Sequence, residues 1–378
     1  MKVPDCLHVR LFPNHHSKII IQKSIKPAIQ ATHGYTLVQP DCPVKLNQNE
    51  CPFDVPDEIK RAILDEARGR NWGRYPDFVP TEVKTQLGER HGVGPDHILI
   101  GNGSNELIQA TFLAAIGQGD RVVLSVPTFT VYALMNTVMD GELHQVLLKD
   151  DLTFDVDRLA EEAATPGTKI VILCSPNNPT GSRITPEEVE HIATTADGLV
   201  VVDEAYFEFS GVSSIDLLER LPNVIITRTF SKALGAAGLR LGYLIAHPDL
   251  VREIEKVKLP YNVNLISLIA AKRIVKEQTL IDERSAFICS ERQRIFDQLA
   301  AISGIQPYPS YANFILFETV HSVKDVFQRL IEEGVLIRDV SRYPMLEQAM
   351  RVTIGTKDEN DTFLEALKRV MGDINNKG

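Results

Sequence analysis

Short unbroken apolar runs recur in the middle of this chain, at 97–100, 121–127, 169–176, 198–206, 223–227 and 241–247. Unbroken runs of this length, rather than alternating ones, suit strands buried on both faces of a mostly parallel sheet. Helices between them predict an α/β architecture, with helices covering both faces of the sheet. Upstream, residues 56–68 place Ile59, Ile63 and Leu64 on one side of a predicted helix, and residues 81–91 form a second. From about residue 262 the pattern changes. One long helical stretch spans 265–300, followed by strands at 313–317, 335–338 and 350–354 and helices at 322–333 and 359–371. The first 45 residues have weak periodicity and are interrupted by Pro27, Pro40 and Pro43. The expected organisation is an N-terminal arm (1–45), a large domain (46–262) and a smaller α+β C-terminal domain (263–378).

Composition narrows the function classes. The 378 residues are 44% hydrophobic and 24% charged, enough apolar material for a sizeable core. A net charge of −10 argues against nucleic acid as the main partner, so any anion site must be local. No apolar stretch approaches the length of a membrane span, and the N-terminus lacks the apolar core of a secretion signal. Five scattered cysteines, Cys6, Cys42, Cys51, Cys174 and Cys289, show neither a disulfide framework nor metal-ligand spacing. His15 and His16 are adjacent and point different ways, so no metal site is expected. A reducing, cytoplasmic setting fits.

The chemistry concentrates at the ends of the apolar runs, where open α/β sheets bind ligands. After the run at 223–227 come Thr229-Phe-Ser-Lys232 and a glycine- and alanine-rich turn that ends on Arg240. Small residues allow close approach of a ligand to the backbone. Lysine forms Schiff bases with aldehydes, and a desolvated or cation-flanked lysine attacks better. The plain alternative is a strand followed by a solvated Lys/Arg turn. The segment resembles the pyridoxal-phosphate (PLP) lysine segment of the aspartate-aminotransferase-like, fold type I enzymes. Such a cofactor needs a covalent anchor, a partner for its ring nitrogen, donors to its ring oxygen, a phosphate cup and a stacking surface.

Asp203 ends the run Leu199-Val-Val-Val202, where a carboxylate is costly unless paired. It suits a pyridinium partner or the capping of a neighbouring loop. Tyr206 and Asn178 could donate to a ring oxygen, although the tract SPNNPTG around Asn178 is also ordinary turn composition. Tyr132 could stack on a ring or fill a core. Gly101-Asn-Gly-Ser-Asn-Glu106 precedes a predicted helix, with Ser104 as the candidate N-cap and Asn105 beside it at a phosphate-binding helix start. Its glycines do not match a dinucleotide fingerprint, and no P-loop occurs.

The tracts KLNQNECP, RYPD, GNGSNE, PTFTVY, SPNNPTG, VVVDEAYFEF, RTFSKALGAAGLRLGY, YANFILF, VLIRDVS and RVTIGT occur in that order. Together they resemble the histidinol-phosphate aminotransferase family, from about residue 45 to residue 356. The resemblance implies a PLP enzyme of histidine biosynthesis, moving an amino group from histidinol phosphate to 2-oxoglutarate by ping-pong kinetics. It implies Lys232 as the covalent anchor, Asp203 as the ring-nitrogen partner, and Tyr206 and Asn178 on the ring oxygen. Thr229, Arg240, Ser104 and Asn105 would form the phosphate cup, with Tyr132 stacked on the ring. It implies Arg351 and Arg338 on the substrate's anionic group, with Asn47 lining the substrate side. It also implies a homodimer with shared active sites, in which Tyr75 reaches the neighbouring subunit's cofactor phosphate.

Three positions depart from the family pattern. Asn105 stands where the family usually has Asp, and Cys51 where it usually has Asn. Pro27 is followed by Ala28 rather than by a substrate-contacting tyrosine, which leaves Tyr35 as the arm's candidate. Three other readings stay open at this point: an aromatic amino-acid aminotransferase, a PLP decarboxylase of a phosphorylated amino acid, and a non-catalytic or nucleotide-binding α/β protein.

Overall fold

The apolar runs assemble into one seven-stranded sheet in the computed structural model, which describes residues 23–32 and 40–375. A two-residue strand, β1 (Val44–Lys45), comes first in the chain and belongs elsewhere. The large sheet then takes β2 (Ile98–Gly101), β3 (Arg121–Val126), β4 (Glu142–Leu147), β5 (Thr168–Cys174), β6 (Leu199–Asp203), β7 (Val224–Thr229) and β8 (Gly242–Ala246). Their spatial order is β2-β8-β7-β6-β5-β3-β4. From β4 through β3, β5 and β6 to β7 every pairing is parallel, while β8 runs antiparallel to both its neighbours.

The unbroken apolar composition has the expected cause: both faces are covered. Val201 packs on one side with Ile172, Ile225 and Leu124, under Leu107 and Phe112 of the helix Ser104–Ala115. Val200 and Val202 pack on the other side with Val171, Leu173 and Ile226. The sequence pattern missed β4. Its polar Glu142, His144 and Gln145 suit the sheet edge it occupies, where no apolar run is required.

A second sheet is antiparallel, in the order β12-β13-β10-β9. It is formed by β9 (Ile305–Pro307), β10 (Phe314–Thr319), β12 (Arg338–Asp339) and β13 (Ala349–Thr353), and β11 (Val335–Leu336) pairs instead with β1. Helices Gln278–Ala300, Val323–Glu332 and Lys357–Asn375 belong to this half of the chain. Local signals start several helices: Ser322 and Asn264 cap by accepting backbone N–H bonds, and Thr185 with Glu188 forms a full capping box.

Two expectations are corrected. The stretch 265–300 is two helices, Leu265–Ile274 and Gln278–Ala300, and no glycine or proline marks the break. The strand expected at 335–338 is divided at Ile337, because its halves pair with different partners. The chain divides into two compact units, residues 1–38 and 39–378. In the first, the described part contains a short helix, Pro27–Ala31, within the weakly periodic arm. Pro27 opens it at a position where a missing N–H costs nothing.

Candidate active site

The carboxyl ends of β2, β5, β6 and β7 carry the polar residues singled out from the sequence. Asp203 is the last residue of β6 and is buried. The Tyr132 hydroxyl donates to its Oδ2 at 2.6 Å, and the Ala205 N–H donates to its Oδ1 at 3.2 Å. Burial nonetheless pushes its carboxyl above the usual range. A buried carboxylate with neutral donors only is matched by a cationic ring nitrogen.

Lys232 follows β7 by three residues. Its Nζ donates to the Gln48 carbonyl at 3.1 Å and lies 5.6 Å from the centre of the Tyr206 ring. Burial, then the charges of Arg351 and Arg240, pull its amine down to about 7, against the pull of Glu50 and Asp203. An amine so placed gives up its proton far more readily than an ordinary lysine and is able to attack an aldehyde.

A group of hydroxyl and cationic side chains lies beside it. Thr229 Oγ1 donates to Ser231 Oγ at 3.0 Å and accepts the Ser231 N–H at 3.1 Å. Arg240, at a left-handed φ of 50°, donates to the Ala237 carbonyl at 3.2 Å and to Ser231 Oγ at 3.4 Å. The helix Ser104–Ala115 starts against this arginine. A Cβ on Gly103 would meet Arg240 Nη2 at 2.7 Å, and one on Gly242 would collide with the Ser104 backbone nitrogen. Ser104 is therefore not the N-cap: Gly103, at φ 82°, takes that position, and Ser104 is the first helical residue. Only glycine reaches that φ without strain. Asn105 is the second helical residue and is exposed.

The other side of the site is built from β13 and the tract after β1. Arg351 donates to the Asn47 carbonyl at 2.8 Å and to Asn178 Oδ1. That bond takes the amide oxygen of Asn178 and leaves its NH2 group to donate elsewhere. Asn47 Oδ1 is buried without a hydrogen-bond partner. Arg338 stands opposite Arg351 in the β12–β13 register. Directly opposed residues share a face, so two guanidinium residues sit on one side of the small sheet. Tyr206 is buried, and its ring packs edge-on against Phe314 at 5.3 Å.

The site also contains residues that the sequence reading passed over: Gln48, Asn49, Ser231 and Thr353. Gln48 and Asn49 lie in a tract already singled out for Asn47, which was the available signal. Tyr75 is 79% exposed and stacks on Tyr261, ring centres 4.4 Å apart. Tyr35 lies outside the described residues.

A low-pKa lysine, an acid at the end of the preceding strand and a cationic cradle at a helix start fit pyridoxal phosphate, and with this sheet they define a fold type I PLP-dependent transferase. Residues 42–367 match the family of class I and II aminotransferases. A histidinol-phosphate aminotransferase from Chlorobaculum parvum is 39% identical over 346 residues, 91% of this chain and 97% of that protein. One from Caldanaerobacter subterraneus is 36% identical over 352 residues, 93% of this chain and 100% of that protein. A crystal structure of histidinol-phosphate aminotransferase from Sinorhizobium meliloti, in complex with pyridoxal-5'-phosphate, superposes with a TM-score of 0.84 at 27% identity. It covers 93% of this chain and 98% of its own. The chain thus belongs to the class I and II aminotransferases, and within them to the histidinol-phosphate aminotransferase family.

Proposed function

We propose that this PLP-dependent aminotransferase takes the amino group of histidinol phosphate and passes it to 2-oxoglutarate, giving imidazole-acetol phosphate and glutamate. The observation that carries the reading is the depressed amine of Lys232 facing a site closed by Arg351, in a chain 39% identical to a histidinol-phosphate aminotransferase.

Bound PLP supplies an aldehyde carbon and an electron-withdrawing ring. Lys232 would hold the cofactor through its amine; once displaced, that neutral amine would take the donor's Cα proton and deliver it to the cofactor carbon that had carried the aldehyde. Asp203 keeps a proton on the ring nitrogen. Tyr206 and Asn178 donate to the ring oxygen, and Tyr132 packs against the ring while its hydroxyl holds Asp203. Thr229, Arg240 and the helix start at Ser104 and Asn105 bind the phosphate. Arg351 and Arg338 clamp the substrate's anionic group through charge-assisted bonds, and Asn47 lines the substrate side. The segment 46–262 then carries the cofactor contacts, and 263–378 the substrate arginines.

A second copy of the chain completes the reading. Trp72, Tyr75, Phe78, Leu259 and Tyr261 are exposed apolar or aromatic side chains. Large exposed aromatics mark an interaction surface, and a homodimer would bring Tyr75 to the partner's phosphate cup. Among the described residues no helix is long and apolar enough to cross a membrane.

The test is a half-reaction screen. Holoenzyme is mixed in turn with histidinol phosphate, phenylalanine, tyrosine and threonine phosphate, and bleaching of the cofactor band is followed. Histidinol phosphate should bleach it at the lowest concentration. Bleaching by the aromatic amino acids alone, or carbon dioxide release from threonine phosphate, would overturn the substrate assignment.

A further inference from the structure

We propose that Asn49 is a positioning residue that fixes the Tyr206 phenol as a hydrogen-bond donor toward the cofactor. The proposal rests on the reading of Tyr206 given above and extends it to a residue from a distant part of the chain.

Asn49 is held on every polar atom. It is 1% exposed, with a left-handed φ of 54°, a conformation that asparagine tolerates better than most residues. Its N–H donates to Thr353 Oγ1 at 2.9 Å, and its carbonyl accepts from Asn313 Nδ2 at 3.1 Å. The Thr353 hydroxyl donates to Asn49 Oδ1 at 3.2 Å, and Asn49 Nδ2 donates to the Tyr206 oxygen at 3.0 Å.

These bonds fix which way the amide faces. Reversing it would present oxygen to the phenol and NH2 to Thr353. The Thr353 hydroxyl hydrogen would then have no acceptor among the described residues. In the observed orientation the Thr353 hydrogen has Asn49 Oδ1 as its acceptor, and the hydroxyl hydrogen left over is the phenol's. The consequence falls on Tyr206: its oxygen already receives a bond, so its own hydrogen is free to point into the site. A carboxylate at position 49 would do the reverse, capturing the phenol hydrogen in a charge-assisted bond. Thr353 lies two residues from Arg351 on β13, so one amide joins the substrate-arginine strand to the phenol.

The test reads the pH at which the bound cofactor's absorption band titrates in holoenzyme variants. A donor on the ring oxygen competes with the neighbouring imine N–H for that oxygen, so losing the donor strengthens the hold on the imine proton. Asn49→Asp should move the titration to higher pH by about one unit or more, close to the shift of Tyr206→Phe. The double variant should shift no further than Asn49→Asp alone, because the phenol's donation is already lost there. Thr353→Val, which leaves the backbone at Asn49 unchanged, should shift it in the same direction by less, and it serves if Asn49→Asp does not fold. A shift in Tyr206→Phe with none in Asn49→Asp or Thr353→Val overturns this inference alone. Absence of a shift in Tyr206→Phe overturns the assignment of Tyr206 itself.

Discussion

Arg228 donates to the carboxylate of Glu204 through Nε at 3.0 Å and Nη2 at 2.7 Å, with both side chains buried. Arg228 immediately precedes Thr229 at the end of β7, and Glu204 immediately follows Asp203 at the end of β6. The pair clasps the two strand ends that present the site. Glu204 also accepts from the Ser213 hydroxyl at 2.9 Å and the Ser214 N–H at 2.7 Å. Glu204→Gln leaves the guanidinium buried without its countercharge, at an expected cost of ~3–5 kcal/mol in denaturant unfolding of the apoprotein. Replacing both partners with apolar residues should recover part of that loss, which separates a lost charge partner from a general packing defect.

The low amine of Lys232 sets two pH dependences. The rate at which apoprotein captures added PLP should rise through about pH 7 and level off above it, followed by the appearance of the bound cofactor band. A lysine at its ordinary 10.5 would give a rate still climbing at pH 9. Stability has the matching sign. Between about 7 and 10.5 the unfolded chain binds the proton that the folded chain has lost, so apoprotein stability rises with pH in that window. Lys232→Met should flatten this rise, and it should also abolish borohydride-fixed cofactor.

Glu208 has the opposite sign. Burial pushes its carboxyl up from 4.5 to about 7, with Arg228 acting the other way. The folded state therefore holds an extra proton between about 4.5 and 7, and stability is lost as pH rises through that window. Glu208→Gln should remove this slope and leave the protein more stable than the parent at pH 8, measured by denaturant midpoint. A variant less stable than the parent at pH 8 would mean the carboxylate has a favourable partner.

Arg351 makes two bonds from separate guanidinium nitrogens, to the Asn47 carbonyl and to Asn178 Oδ1. Lysine keeps the charge and loses the fork. Arg351→Lys should lower kcat/KM for the amino donor by roughly 10- to 100-fold, the worth of one hydrogen bond to a charged group. PLP affinity, measured by fluorescence quenching, should change far less. Equal losses in both would place Arg351 on the cofactor rather than on the substrate.

Much of this site was visible as separate pieces. Asp203 ends an apolar run, Tyr206 and Lys232 follow one by three residues, and Arg240 lies on the turn beyond, so the run places the first directly and the others only nearby. The helix-start cradle was visible in Gly101-Asn-Gly-Ser104, but its cap was misplaced by one residue. A serine beside a glycine satisfies the usual capping preference, and only the close approach of Arg240 and Gly242 makes the glycine take the cap. The β4 edge strand and the break after Ile274 left no local signal. Edge strands need no apolar run, and that helix ends without a glycine or proline.

Periodicity and run length by themselves determined the two-faced sheet, its helical cover and the strand ends where chemistry collects, because those depend on residues a few positions apart. The tertiary structure alone decided which distant groups meet. It joined Asn49 to Tyr206 across 157 positions and Asn49 to Thr353 across 304, and it divided residues 335–339 between two sheets. Such pairings depend on strand register and on the packing of whole elements, and no local stretch of the chain encodes either one.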